Sequence, residues 1–417
     1  MQRFVIHGGK RLEGEITVQG AKNSALPILS AALLCKGESV LENCPRLSDV
    51  YAACRILGSL GCRCRLEGTS AVICADAPTA AAVPEGLMQE MRSSIIFMGA
   101  MLGRMGTCSL GYPGGCELGP RPIDLHLAAL RRMGVRIREE DGILRCTAPG
   151  GLHGARIHLA LPSVGATENI LLAAVMAKGE TVITNAAREP EIMDLAAYLN
   201  GCGARIEGAG CSTIRVEGVP SLTGCTHRIM PDRIVTATWL AAAAATGGRL
   251  RLAGTDAASL ESVLDVFEEM GCRCKRGQDS LTVYGGCPLR AVRDIRTMPY
   301  PGFPTDAQAV VTVPLCLADG ASVIEETVFS DRFRHVDALV KMGADIRIVG
   351  RAAVIRGPVT LHGAQVAATD LRGGAAMLTA ALAAQGETVL TDIRHIDRGY
   401  DSPEQVLRSV GADIVRI

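Results

Sequence analysis

Leu60-Gly61-Cys62-Arg63-Cys64, Met133-Gly134-Val135-Arg136-Ile137, Cys202-Gly203-Ala204-Arg205-Ile206, Met270-Gly271-Cys272-Arg273-Cys274, Met342-Gly343-Ala344-Asp345-Ile346 and Val410-Gly411-Ala412-Asp413-Ile414 are six versions of one phrase. Each follows a hydrophobic helical stretch, stops it with glycine and opens a short strand-like run. The six glycines lie 73, 69, 68, 72 and 68 residues apart. A further glycine stands 23 to 28 residues upstream of each: Gly37, Gly106, Gly179, Gly248, Gly320 and Gly386. A fixed period of this size marks a repeat architecture, so the 417 residues are six repeats of about 70.

Each repeat reads alike. A first helix rich in Ala and Leu is expected to end at the upstream glycine, which suits the left-handed position after a helix because it has no Cβ to clash. A strand follows, such as Glu38-Ser39-Val40-Leu41 or Glu180-Thr181-Val182-Ile183. A loop then leads to a second helix, expected over Val50 to Leu60 in the first repeat with Ser48 or Asp49 as its cap. The downstream glycine stops that helix, and two short strands close the repeat.

The first helices are apolar on more than one face, as in Ala25-Leu26-Pro27-Ile28-Leu29-Ser30-Ala31-Ala32-Leu33-Leu34, Trp239 to Ala245 and Ala375 to Ala384. A helix apolar all round is buried. The expected fold is therefore an inside-out α/β arrangement, with helices inside and sheets around them. Six repeats exceed one comfortable core, which predicts two domains of three repeats, with boundaries near Gly20-Ala21 and Ile229-Met230-Pro231.

Composition narrows the class. Lys+Arg and Asp+Glu both number 43, so the formal net charge is zero and there is no electrostatic footprint for nucleic acid or an anionic membrane. No apolar run reaches the length of a membrane helix. The start, Met1-Gln2-Arg3-Phe4-Val5-Ile6-His7, is too short and polar for a signal peptide, so a cytoplasmic protein is expected. In that compartment the 16 cysteines read as thiols rather than disulfides.

Counting back 14 or 15 residues from each upstream glycine reaches Lys22, Arg92, Gly165, Arg233, Asp306 and Arg372. Five of these six presumed helix starts are charged, where the rest of the helix is mostly apolar. A helix N-terminus offers free N–H groups and a positive dipole end, and Lys or Arg there strengthens an anion site. Capping and ion pairing between repeats are the competing reading, above all for Asp232-Arg233, Asp306 and Asp370-Leu371-Arg372.

The second repeat carries a loop the others lack, Gly111-Tyr112-Pro113-Gly114-Gly115-Cys116-Glu117-Leu118-Gly119-Pro120-Arg121-Pro122. Four Gly and three Pro in twelve residues form neither helix nor central strand. Cys116, five residues before Arg121, is a candidate reactive thiol. The Cys-x-Cys pairs 62/64 and 272/274 fall where other repeats place Val/Ile or Ala/Ile and read as small hydrophobes rather than metal ligands; Cys35, Cys54 and Cys316, in helical runs, read likewise. No metal-binding spacing is present. His126 and His335 stand among polar residues and either could face a site, but the residues alone favour a satisfied structural role for each.

These segments resemble the UDP-N-acetylglucosamine 1-carboxyvinyltransferase family of enolpyruvyl transferases. The likeness is carried by Gly20-Ala21-Lys22-Asn23, Pro113-Gly114-Gly115-Cys116, Gly119-Pro120-Arg121-Pro122-Ile123-Asp124, Ser163-Val164-Gly165-Ala166-Thr167-Glu168-Asn169 and Ala187-Arg188-Glu189-Pro190-Glu191-Ile192. It continues through Pro231-Asp232-Arg233-Ile234, Pro301-Gly302-Phe303-Pro304-Thr305-Asp306, Glu326-Thr327-Val328-Phe329, Ala368-Thr369-Asp370-Leu371-Arg372 and His395-Ile396-Asp397-Arg398-Gly399-Tyr400.

The resemblance implies the two-domain inside-out α/β barrel of that family. One domain, catalytic, would comprise residues 1–21 and 230–417, the other 22–229 with the active-site loop 111–122, and substrates would bind in the cleft between them. It implies transfer of the enolpyruvyl group of phosphoenolpyruvate to the 3′-hydroxyl of UDP-N-acetylglucosamine, with no metal or organic cofactor. By the same likeness Lys22, Arg121 and Arg398 match the phosphoenolpyruvate cradle, joined by Asn23 and Arg372. Cys116 matches the general acid, which also bonds to the substrate carbon, and Asp306 the base. Asn23, Arg92, Arg121, Pro122, Ile123, Asp124, Leu125, Leu161, Pro162, Ser163, Val164, Asp306 and Val328 match nucleotide-sugar contacts; His126, Asp370 and Leu371 match other positions lining the site.

Ser48 and Leu161 stand where some members carry Lys, and Ser93 and Gly373 where the motifs have Ala. These departures touch side-chain contacts, not a named catalytic group. Two other readings are separable: the sibling 5-enolpyruvylshikimate-3-phosphate synthase, whose family lacks the loop thiol, and a repeat scaffold without activity. The sequence leaves the oligomeric state open.

Overall fold

The computed structural model describes residues 2–114 and 123–417. Among them the chain forms two compact units, one of residues 2–19 and 231–417, the other of 20–114 and 123–230. The crossings between units thus fall at 19/20 and 230/231, a residue or two from the expected 21/22 and 229/230.

In the 20–230 unit the inner helices are Lys22–Ala32, Phe97–Met105 and Val164–Ala174, the second packing against both others. In the 231–417 unit they are Arg233–Thr246, Thr305–Cys316 and Leu371–Ala383, each against the other two. Ten of the eleven residues of Lys22–Ala32 are buried, as an all-round apolar helix requires. Small residues allow the close approach: a Cβ on Gly99 would stand 2.3 Å from the Asn169 carbonyl oxygen.

A sheet covers each repeat. In the first the strand order is Thr226–Arg228, Glu38–Glu42, Ser70–Cys74, Arg63–Glu67, the first pair parallel and the rest antiparallel. Five repeats supply the expected three strands and the sixth supplies two, and a further, parallel strand was missed in five of the sheets. It is supplied by the short segments Arg156–His158, Thr226–Arg228, Glu13–Thr17, Asp294–Arg296 and Gln365–Ala367. Thr226–Arg228 runs back from the third repeat onto the first. In the sixth repeat Phe4–His7 lies antiparallel between Glu387–Thr391 and Asp413–Arg416, so the start of the chain completes the repeat that its end leaves open.

The glycines divide. All six downstream glycines have φ between 91° and 103° and terminate the outer helices. The N–H of the following residue returns to the carbonyl five back, as in Cys62 to Leu57 and Cys272 to Phe267, the pattern of a Schellman stop. The upstream glycines do not end helices as expected, apart from Gly106, the left-handed cap of Phe97–Met105. Lys22–Ala32 stops before Gly37, and Arg233–Thr246 is capped by Gly247 rather than Gly248. Gly37, Gly179, Gly320 and Gly386 instead turn the chain into the next strand with φ of 78° to 115°.

Cys35 lies on the two-residue strand Cys35–Lys36, not in a helix, yet is buried as expected. The fifteen described cysteines are all free thiols. Burial pushes the Cys62 thiol up to about 11 and the Cys44 and Cys316 thiols up to about 12, so they stay protonated packing groups.

Candidate active site

The helix starts fall where the spacing placed them. Lys22 opens its helix; Arg92 opens the 3₁₀ turn Arg92–Ile96 that leads into Phe97–Met105; Gly165, Asp306 and Arg372 are each the second residue of theirs.

In the 20–230 unit, Lys22 Nζ lies 2.7 Å from Asp49 Oδ2, and both side chains are buried. Ser48 or Asp49 was expected to cap the outer helix, and neither does. That helix, Ser48–Ser59, has Leu47 at its cap position with no side-chain bond, and the carboxylate serves the lysine instead. Asn23 follows, half-buried. Ser24 donates to the Asp194 carboxylate, which also takes the Met230 N–H (3.1 Å) and pairs with His227 Nε2 (2.8 Å). Arg92 donates to the Pro113 carbonyl at 3.4 Å, tying the start of the glycine-rich loop to this helix start. Cys116, Arg121 and Pro122 lie outside the described residues.

Ile123 is buried at the residue before Asp124–Arg132, on whose first turn Asp124, Leu125 and His126 lie. Asn169 fixes His126. The Gly99 N–H donates to Asn169 Oδ1 (2.7 Å), so the amide NH₂ faces the Ile95 carbonyl (3.0 Å) and His126 Nδ1 (2.8 Å). Nδ1 therefore accepts, and the proton of the neutral ring sits on Nε2. Burial, aided by Arg92 and opposed by Asp124, lowers the His126 pKa to about 4. The ring packs against the start of Val164–Ala174, where a Cβ on Gly165 would stand 3.2 Å from Cε1. Ser163 caps that helix through the Ala166 N–H (3.3 Å), with Pro162 and Val164 half-buried beside it. Leu161 is 68% exposed.

In the 231–417 unit, Asp306 is bound on both carboxylate oxygens, by Arg332 on Oδ1 and by Arg372 on Oδ2 (2.8 Å). The two arginines are 3% and 6% exposed and Asp306 27%, so two enclosed cations share a carboxylate that still reaches solvent. Burial opposes the Arg372 charge, but Asp306, Tyr400 and Asp232 more than offset it and raise its pKa. Arg332 also donates to the Thr305 carbonyl (3.3 Å), and its Cζ lies 5.7 Å from the Phe329 ring centroid. Sequence reasoning missed it. Glu326, quoted among the resemblance segments but given no role, is a buried carboxylate that accepts from Thr297 and Thr305 Oγ1 and from the Val328 and Phe329 N–H groups. Glu326 so joins the Asp306 helix start to the Val328 loop.

Asp370 caps Leu371–Ala383 through the Arg372 and Gly373 N–H groups, and Asp232 caps Arg233–Thr246 through those of Ile234 and Val235. Both acids therefore cap, as one of the two readings had it, and Asp306 is ion-paired, as the other had it. A Cβ on Gly373 would lie 2.7 Å from Thr369 Oγ1 and 2.9 Å from Asp370 Oδ2. His335, behind this helix start, is buried, and burial lowers its pKa to about 4. Leu371 packs on Gly399, the residue after half-buried Arg398. Arg398 is near enough to join burial and Arg394 in lowering the His395 pKa.

No three or more His, Cys, Asp or Glu among the described residues are placed to hold a metal ion, and no helix among them is long and apolar enough to cross a membrane. Within each unit, buried cations at inner helix starts (Lys22 in one, Arg233 and Arg372 in the other) are what a small, multiply charged anion calls for.

The family model for EPSP synthase (3-phosphoshikimate 1-carboxyvinyltransferase) matches residues 6–407. UDP-N-acetylglucosamine 1-carboxyvinyltransferase 2 of Caldanaerobacter subterraneus is 50% identical over the whole of both chains. The chain belongs to the UDP-N-acetylglucosamine 1-carboxyvinyltransferase family. A second member of this family, UDP-N-acetylglucosamine 1-carboxyvinyltransferase 1 of Symbiobacterium thermophilum, is 48% identical over all of this chain and 95% of its own. Membership makes the chain an enzyme of the transferase class. The enolpyruvyl transferase NikO from Streptomyces tendae superposes with a TM-score of 0.91 at 28% identity, covering 100% of this chain and 98% of that one. EPSP synthase from Acinetobacter baumannii, at 19% identity and a TM-score of 0.77 over both full chains, shares the fold.

Proposed function

We propose that this protein transfers the enolpyruvyl group of phosphoenolpyruvate to the 3′-hydroxyl of UDP-N-acetylglucosamine, releasing phosphate, as the first committed step of peptidoglycan precursor synthesis in the cytoplasm. One observation carries the reading: end-to-end likeness, at 50% identity, to a protein named for that transfer. The charged helix starts supply the chemistry it needs.

Phosphoenolpyruvate brings a phosphate and a carboxylate. Lys22, Arg121 and Arg398, with Asn23 and Arg372, hold them, the guanidinium groups in two-point fashion. Cys116 delivers a proton to the methylene carbon, which makes C2 electrophilic, and its sulfur can itself bond to C2. Asp306 takes the proton of the sugar 3′-hydroxyl as that oxygen attacks C2. Loss of a methyl proton and cleavage of the bond from C2 to the phosphate oxygen then give the enol ether and free phosphate. Arg92, residues 121–125, residues 161–164 and Val328 contact the nucleotide sugar, with His126 beside it; Asp370 and Leu371 line the reacting side.

The test is phosphate release from phosphoenolpyruvate, with and without UDP-N-acetylglucosamine, by wild type and Cys116→Ala. Sugar-dependent release by wild type, lost in the variant, is expected, together with a mass adduct on Cys116 after treatment with an epoxide of the fosfomycin type. Release that depends on shikimate 3-phosphate instead, or on neither acceptor, overturns the reading.

A further inference from the structure

Arg416, one residue from the end of the sequence, makes more side-chain contacts than a terminal strand needs. Its Nη1 lies 3.0 Å from Asp397 Oδ2 and its Nη2 2.7 Å from Asp397 Oδ1, a two-point pairing that fixes the plane of the carboxylate. Nη2 also donates to Glu404 Oε2 (3.1 Å) and Nη1 to Gln2 Oε1 (3.1 Å), and Cζ lies 4.8 Å from the centre of the Phe4 ring, directly opposite in the sheet. The guanidinium therefore gathers both ends of the sequence around one carboxylate, and that carboxylate belongs to the residue before Arg398.

The turn bearing Arg398 is fixed separately on its two sides. After Arg398, the Gly399 carbonyl accepts from Gln19 Nε2 (3.1 Å) and the Asp401 N–H donates to Gln19 Oε1 (2.8 Å). Gly399 is so close to Leu371 that a Cβ would stand 2.7 Å from a methyl, and buried Tyr400 bonds Thr238 at 2.8 Å. Before Arg398, the side-chain anchor is the Asp397–Arg416 pair. That pair does a second thing: it commits the Asp397 charge. Without it, a carboxylate adjacent in sequence to Arg398 becomes a competitor for any anion that Arg398 binds.

We propose that Arg416 is a positioning residue for Arg398, acting through Asp397: it orients the turn and keeps the Asp397 carboxylate engaged, so that the turn presents Arg398 to anionic substrate. The inference rests on the assignment of Arg398 to phosphoenolpyruvate made above. Steady-state kinetics on the full chain test it. Arg416→Ala raises the KM for phosphoenolpyruvate about tenfold, the scale on which small misplacements of a binding group are felt, and leaves the KM for UDP-N-acetylglucosamine within about twofold. Arg416→Lys, with a point charge in place of a fork, falls between. Adding Asp397→Ala to Arg416→Ala recovers part of the loss, because the competing carboxylate is gone. An unchanged phosphoenolpyruvate KM in Arg416→Ala, with Arg398→Ala impaired, overturns the inference. So does a parallel rise in both KM values tracking a fall in thermal stability, which is a structural role only. An unchanged phosphoenolpyruvate KM in Arg398→Ala overturns the site assignment, and this inference with it. Should Arg416→Ala not fold, Arg416→Lys carries the same two readings.

Discussion

Lys22 Nζ and Asp49 Oδ2 are 2.7 Å apart, with side chains only 10% and 4% exposed, so the opening residue of one inner helix holds its charge against a carboxylate from the neighbouring outer helix. Breaking a buried pair from one side costs more than removing both members, because the remaining charge has lost its compensation. Asp49→Asn is expected to destabilise the 20–230 unit by about 3 kcal/mol. Lys22→Met combined with Asp49→Asn is expected to lose less than the sum of the two single changes. Thermal or denaturant unfolding of the four proteins measures the coupling, and strict additivity would show that the pair contributes nothing.

Arg332 does for Asp306 what Asp49 does for Lys22. It is enclosed, bound to the Asp306 carboxylate, and donates to the Thr305 carbonyl at 3.3 Å. A lysine there keeps the charge but not two donors in a fixed fork. Arg332→Lys is expected to leave the fold intact and lower kcat by roughly 10- to 100-fold through misplacement of Asp306. Circular dichroism with steady-state kinetics checks it, and a kcat within a factor of about two of wild type would remove Arg332 from the site.

The outer-helix stops were legible because a left-handed φ leaves glycine as the residue without strain, and all six recur at one spacing. The inner-helix starts were legible for a related reason: a charge beside a long apolar run stands out. Arg332 did not, since Asp331-Arg332-Phe333-Arg334 has no period and its partner is 26 residues away in sequence. Asp49 misled because a capping acid and an ion-paired acid occupy the same place in the sequence. The parallel strands went unseen because Arg156–His158, Asp294–Arg296 and Gln365–Ala367 are three residues long, too short to show alternation.

Glu168, in the resemblance motif but given no role by it, is buried in the inner helix Val164–Ala174. Burial, reinforced by Glu191 and Glu189, raises its pKa well above the usual 4.5. The folded protein thus holds this proton at pH values where the unfolded chain has released it. The resulting stability is fully present below the unfolded pKa and is lost as pH rises through the folded one. Glu168→Gln, which cannot ionise, is expected to remove that decline, so the variant overtakes wild type in stability toward alkaline pH. Unfolding measured from pH 5 to 9, a span of the order on which such carboxyls titrate, tests it. Parallel stability curves for the two proteins would mean that Glu168 titrates normally.

Leu161 is 68% exposed, with its carbonyl accepting the Ser163 N–H at 2.7 Å and its side chain offering no charge to solvent. If this segment meets the anionic end of the nucleotide sugar, as proposed, an exposed leucine contributes no Coulomb attraction there. Leu161→Lys adds one flexible cation without disturbing a buried contact. Exposed charges act through water and are screened by salt, so the gain is modest and conditional. The KM for UDP-N-acetylglucosamine is expected to fall by about threefold at low ionic strength and to return toward the wild-type value at high ionic strength, with the KM for phosphoenolpyruvate unchanged. A fall in both KM values would indicate a general change in surface potential. No change at low ionic strength would place residue 161 away from the diphosphate.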